Sequence, residues 1–148
     1  MVEFALVLPP LLIVLTGIFT FGIILNQYEV LTNAVSAGAR AFALSAGGAA
    51  NSTSTAANAD PCAYAASVIQ GSAPNLVASS INYTITYTPA SGSATKYTGT
   101  GATAPSCADL TMNFDDSVTV LATYPATPAM FGFKQTLTMS AQAEELVQ

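Results

Sequence analysis

From Phe4 to Leu25 the chain runs 22 positions without a charge, FALVLPPLLIVLTGIFTFGIIL, directly after a lone acid, Glu3. A helical bilayer crossing needs ~20 apolar residues, so this run is long enough for one. A carboxylate at its start is costly in hydrocarbon and calls for a partner. Past Leu25 the pattern turns amphipathic. Tyr28, Leu31, Val35 and Phe42 fall at spacings of three, four and seven on one helical face, while Asn26, Gln27, Glu29, Asn33, Ser36 and Arg40 lie largely elsewhere. The pattern predicts one helix from Val2 to Leu44, with a greasy stalk as its first half and a second half lying against a head. At ~1.5 Å per residue such a helix spans roughly 65 Å, too long for a single crossing. Pro9 and Pro10 remove the donors that would serve the carbonyls of Ala5 and Leu6, which predicts a kink or a short melted turn. In a bilayer those carbonyls need neighbours, and a packed helix bundle can supply them.

The remainder reads as a small head. Gly47-Gly48 predicts the end of the helix, and AANSTSTAANAD a flexible polar loop. Asp60-Pro61 is a helix start, with the acid at the cap and Pro at the first position. A short helix from Ala63 to Gln70 follows, with Tyr64, Val68 and Ile69 inward, and Pro74 closes the region. From Ser79 the period becomes two. Ile81, Tyr83, Ile85 and Tyr87 alternate with Asn82, Thr84, Thr86 and Thr88. A Gly- and Ser-rich hairpin or long loop comes next, with a weak strand near Lys96 to Gly99, and LTMNF is a candidate short strand. Val118, Val120 and Ala122 then alternate with Thr119, Leu121 and Thr123; Pro125 and Pro128 bound the next loop. A last strand from Lys134 to Glu144 places Leu137, Met139 and Ala141 opposite Thr136, Thr138 and Ser140. The expected fold is α+β: residues 1–45 as the N-terminal helix and residues 46–148 as a head with a short helix and a three- to five-stranded, mainly antiparallel sheet. One face of that sheet needs cover, and the amphipathic half of the helix is the obvious cover.

Only 7% of the 148 residues are charged, against ~25% in an average soluble protein. Ala, Ser, Thr and Gly fill the gap, which gives a neutral, hydroxyl-rich surface suited to close packing between copies. The net charge is −5, and the only cations are Arg40, Lys96 and Lys134. Nucleic-acid binding needs clustered cations, so no such partner is expected. Cys62 and Cys107 could close a loop of 46 residues, worth ~4 kcal/mol on a chain-entropy account, as befits an oxidising compartment; the alternative is two unrelated buried thiols. With no His, two thiolates do not make a closed zinc site. Asp115-Asp116 with Asn113 superficially suggests a metal or acid pair, but adjacent strand carboxylates point apart, and a polar turn is the better reading. No nucleophile elbow or phosphate loop is present, so neither catalysis nor a cofactor is expected. Asn51 and Asn82 open N-glycosylation patterns that a Ser/Thr-rich head produces readily. Small residues recur four apart (Thr16 and Thr20, Ala34 and Gly38, Ala37 and Ala41, Ala39 and Ala43), which lets helices approach closely or simply reflects composition.

Taken in order, VEFALVLPPLLIVLTGIFTFG, then Asn26 and Asn33, then SAGARAFAL on the same helix resemble the TadE-like proteins of tight-adherence pilus systems. The tail VTVLATYPATPAMFGFKQTLTMSAQAE is similar to the end of that family. The resemblance covers the first 45 and last 30 residues, with a Cys-containing variable head between. It implies a pilin-like protein of the type IV filament superfamily. Such a protein is trimmed by a prepilin peptidase, resides transiently in the bacterial inner membrane, and is extracted by the assembly machinery into an extracellular filament. The family's glutamate commonly sits fifth in the mature chain and maps onto Glu3. A basic leader is absent, so the chain is expected to be already mature.

Within the motif, Glu3, Phe4, Pro9, Pro10, Gly17 and Gly22 are the expected assembly residues. Glu3 is expected to pair with the N-terminal ammonium of an adjacent subunit, since either charge left unpaired in low dielectric costs several kcal/mol; the alternative is an acid favoured by the helix macrodipole. Three functions follow: a subunit polymerising with itself through its N-terminal helix, a minor pilin or assembly factor, and a membrane-anchored surface-binding module.

Overall fold

The computed structural model describes residues 2–49, 60–108, 110–130 and 133–147, with side chains at 6–45, 60–108, 110–128 and 135–147. The polar loop expected after Gly47-Gly48, with Asn51, lies almost wholly outside the described residues.

Helix α1, Val2–Ala49, is continuous through Pro9 and Pro10. The expected melted turn is absent: proline's fixed φ is itself helical, and two lost hydrogen bonds need not unwind a helix supported on both sides. The helix also runs past Leu44 and through Gly47-Gly48. Its inward face is built from Leu31, Ala34, Val35, Ala39, Phe42 and Ala43, all buried. Tyr28, expected on that face, is instead 45% exposed. The inward face therefore continues toward the N-terminus through half-buried Gln27 and Ile24 and passes beside Tyr28.

Helix α2, Pro61–Ser72, starts as read from Asp60-Pro61, with the Asp60 carboxylate accepting from the backbone N–H groups of Cys62 at 3.0 Å and Ala63 at 3.2 Å. It extends beyond Ala63–Gln70 at both ends. Its buried side is Cys62, Ala65, Ala66 and Ile69, while Tyr64 and Val68 are only half-buried. The small side chains turn inward because α2 packs closely on α1. A Cβ added at Gly38 of α1 would fall on the Ile69 side chain and lie 3.2 Å from the Ala65 carbonyl. Of the small residues spaced four apart, Ala34, Gly38, Ala39 and Ala43 are thus used inside the chain. A 3₁₀ turn at Ala78–Ser80 leads into the sheet.

Strands β1 (Asn82–Thr88), β2 (Thr95–Thr100), β3 (Ser117–Ala126) and β6 (Leu137–Leu146) form a sheet of order β2-β1-β3-β6, antiparallel throughout. Two-residue strands β4 (Ala129–Met130) and β5 (Phe133–Lys134) form a separate ribbon. Ile81, Tyr83, Ile85 and Tyr87 face inward with Val118, Val120, Ala122 and Tyr124, as the period-two pattern predicts. The register carries Thr100, Asn82, Thr123 and Ser140 across the outer face, a row of neutral polar side chains. α1 covers the inner face at β3 and β6.

Three expectations are corrected here. LTMNF is irregular, leading into a turn at Phe114-Asp115 where Asp115 adopts φ 70°. Pro125 lies within β3, not in a loop. It is tolerated because β1 pairs only as far as Thr123, leaving that end of β3 edge-like on one side. Lys134 belongs to β5, so the last strand begins at Leu137, which is exposed, while Met139 and Ala141 are buried.

A disulfide joins Cys62 at the start of α2 to Cys107. Replacing both by Ser should lower stability by ~4 kcal/mol, as expected from opening the loop. Gly38→Val should cost roughly 1–3 kcal/mol by driving α2 off α1. Equilibrium denaturation of the full chain in detergent measures both.

Candidate assembly surface

The stalk carries its apolar side chains outward on all sides. Leu6 is 79% exposed and Phe19 72%, and the apolar residues from Leu6 to Leu15 are exposed without exception. This part of α1 is long and apolar enough to cross a membrane. Inward packing starts at Ile24 and Val30, partly buried against the core, and is complete at Leu31. The structural change therefore falls where the sequence turns polar, at Asn26 and Gln27.

Polar groups on the stalk are satisfied locally. The Thr16 hydroxyl donates to the Leu12 carbonyl at 2.7 Å, and the Thr20 hydroxyl to the Thr16 carbonyl at 2.9 Å. Pro9 and Pro10 are exposed. Gly17 and Gly22 would each accept a Cβ with nothing within 4 Å, unlike Gly38, so no contact within the chain requires glycine there. Glu3 and Phe4 lie in the first turns of α1, and their side-chain positions fall outside the described residues. Arg40 reaches Glu145 of β6 at 3.4 Å, with 74% of the Arg40 side chain exposed. Such a surface pair is worth ~0–1 kcal/mol.

Where stalk and head part, a cleft of about 330 Å³ opens between α1 and the end of β3. Thr20, Ile23 and Gln27 form its helical wall, and Tyr124, Thr127 and Pro128 the wall from the head. Its lining is mixed, neither a catalytic cluster nor a purely apolar socket.

The exposed stalk motif is also where the chain matches a known family: residues 1–40 match the TadE-like protein family. Over these 40 of its 148 residues the chain is similar to TadE-like proteins. From Val2 onward the match lies within α1, and it stops before the head. No curated protein and no solved structure gives a significant match. The family fits a protein associated with tight-adherence pili and suggests assembly with other pilus components. Together with the apolar helix, it suits membrane anchoring and surface display.

Two acids organise the head. Besides capping α2, the Asp60 carboxylate accepts from the Cys107 N–H at 3.0 Å, tying both sides of the disulfide to one oxygen. Asp60, Cys62 and Cys107 lie within metal-binding distance of one another. Sulfurs bonded to each other are not thiolate ligands, however, and the carboxylate oxygen is already occupied by amides, so the cluster is structural. Burial alone pushes Asp60 up, but donors from Ser106, Cys107, Ala63 and Cys62 outweigh it and leave the carboxyl below its ordinary 3.8.

Asp116, only 2% exposed, is the larger surprise. It accepts from the Tyr87 hydroxyl, from Ala90 N–H at 2.8 Å and from Asn113 N–H at 2.8 Å. One carboxylate thus gathers the loop after β1 and the turn before β3. The polar-turn reading of residues 113–116 is right, but burial of the second acid was not legible in the sequence. The Tyr87 bond, then the Ala90 amide, hold Asp116 below 3.8 against the cost of burial. Burial, followed by the hydrogen bond to and charge of Asp116, pushes Tyr87 up to about 12.

These shifts set two pH limits. Asp60 and Asp116 bind a proton more readily when unfolded, so their contribution is present above 3.8 and is lost as pH falls below it through their lower folded values. Tyr87 ionises more readily when unfolded, so stability should also fall as pH rises from 10 toward 12. Asp116→Ala strands buried donors and should cost about 3 kcal/mol, with the acid limb of a melting-temperature profile flattened.

Proposed function

We propose that this chain is a structural subunit of an extracellular pilus-like filament, polymerising through α1 after residing in the inner membrane. The carrying observation is the exposed apolar stalk, Leu6 to Ile23, on a helix whose other half packs one face on its own head. Such a surface must be covered by lipid or by other copies.

Two features favour copies as the final cover. Helix-interior glycine costs roughly 0.5–1 kcal/mol relative to alanine, and Gly17 and Gly22 recover none of it within the chain. Close approach of neighbouring helices would give them a use. The carbonyls freed by Pro9 and Pro10 likewise call for donors that lipid tails lack. Glu3, at the tip, would pair with the terminal ammonium of a neighbour and select one stagger of the helices. Processing by a prepilin peptidase and export by pilus assembly machinery go with this reading. A head of few charges, braced by a disulfide, suits exposure outside the cell.

Glu3→Ala should insert into the membrane at normal levels yet fail to enter filaments, and Gly22→Leu should do the same. Shearing surface filaments and identifying their main protein by mass spectrometry gives the readout. Normal filaments from both variants would overturn the reading. A filament whose main protein is another chain would assign this one to a minor or priming role.

A further inference from the structure

The stalk and the lower edge of the head meet at one level. The uncharged run Phe4–Leu25 is 22 residues, roughly 33 Å of helix at ~1.5 Å per residue, against a hydrocarbon core of ~30 Å. With Phe4 at one boundary of the core, Leu25 lies at the other. The cleft straddles that second boundary, since its helical wall runs from Thr20 to Gln27. We propose that, while α1 spans the bilayer, the lower edge of the head is seated in the phospholipid headgroup layer, with the cleft filled by the glycerol and upper acyl region of a lipid.

Several independent features fit a phospholipid as the occupant. The cleft is continuous with the lipid-facing side of the stalk, because Ile23 belongs to both. Its lining mixes hydroxyl and amide groups of Thr20, Gln27 and Thr127 with aliphatic and ring carbon, matching the polarity change across a headgroup layer. Tyr28, exposed one turn beyond Ile24, stands where interfacial aromatic residues concentrate. From Pro128 the chain enters the β4–β5 ribbon, which packs beside α1 through β4. That ribbon contains Met130 and Phe133 and then Lys134, one of the three cations in the sequence. The opposite end of the head, where Leu44 meets Leu146, is 20 residues farther along α1, roughly 30 Å from the cleft. Only one end of the head can therefore touch lipid. The inference rests on α1 entering a bilayer and is independent of polymerisation.

The chain contains no Trp, so single-Trp variants of the full chain report position without background. Thr127→Trp marks the cleft, Phe19→Trp the stalk and Phe114→Trp the far end of the head. Each is reconstituted into phosphatidylethanolamine–phosphatidylglycerol vesicles containing lipids brominated at shallow or deep acyl positions. Thr127→Trp should emit to the blue of Phe114→Trp and be quenched most by shallow bromines, whereas Phe19→Trp should be quenched most by deep ones. Quenching at Phe19→Trp without quenching at Thr127→Trp would show a head standing clear of the membrane and overturn the proposal. A blue-shifted but unquenched Thr127→Trp that responds to the protein-to-lipid ratio would put a second copy in the cleft and overturn it equally. No quenching of Phe19→Trp would reject membrane insertion itself. Gln27→Trp, on the opposite wall, repeats the measurement should Thr127→Trp fail to form the Cys62–Cys107 bond.

Discussion

A single apolar face of a four-stranded sheet must be kept from water, and one stretch of α1 does most of that work. Leu31, Val35 and Phe42 are fully buried in the cluster that holds Ile85, Val118 and Val120. Full burial of such a side chain contributes about 1.5–3 kcal/mol, so these three anchor the helix to the head. Everything N-terminal to them then projects as an unbroken continuation of a helix already committed to the core. The stalk is exposed because the same rigid rod cannot fold back to hide its first half. Pro9 and Pro10, the obvious place for such a fold, leave the helix continuous.

The glycines of α1 separate two kinds of constraint. Gly38 is required by the fold, since the neighbouring helix occupies the space a side chain would need. Gly17 and Gly22 face open space and weaken the helix with no return inside the molecule. The same residue type in the same helix thus marks an internal contact in one place and, on the proposed reading, an external one in two others. The disulfide and the two buried acids belong with Gly38: they brace the head and leave the stalk untouched. Asp60 secures the junction of α2 with Cys107, and Asp116 secures the loops at the far end of β1 and β3. Both acids lie away from the stalk, so the braced end of the molecule and its exposed apolar end are chemically distinct.

The legible parts of this fold were those governed by short periods. Alternation marked Ile81 to Tyr87 and Val118 to Ala122, and the Asp-Pro pair marked the start of α2, because each signal is local. The cover of the sheet by the second half of α1 followed from having one apolar face and one available helix. What was not legible depended on partners distant in the chain. Asp116 looks like one of two turn acids until Tyr87 and Ala90 are brought to it. The inward side of α2 is small because α1 is close, whereas composition alone favours Tyr64 and Val68. Tyr28 fits the spacing of the inward face, yet the face that packs on the head runs through Ile24, Gln27 and Leu31 and leaves Tyr28 to one side. The stalk motif was readable, but the Glu3 side chain lies outside the described residues and its partner remains part of the proposal.

If the proposed function holds, exposure of the stalk lets one surface serve two surroundings. Lipid tails are about as apolar as leucine, so moving Leu6 to Leu25 from a bilayer into a bundle of like helices changes hydrophobic burial little. The balance must then rest on groups that lipid serves poorly. These are the carbonyls freed by Pro9 and Pro10, the unfilled surface at Gly17 and Gly22, and the carboxylate of Glu3. Each gains from a protein neighbour what hydrocarbon cannot supply: a donor, a closely fitting backbone or an opposite charge. Thr16 and Thr20 have already turned their hydroxyls onto their own helix and so favour neither surrounding. On the proposed reading, a few polar and small positions within a uniformly greasy helix decide between membrane and filament, and the greasy majority makes the exchange possible.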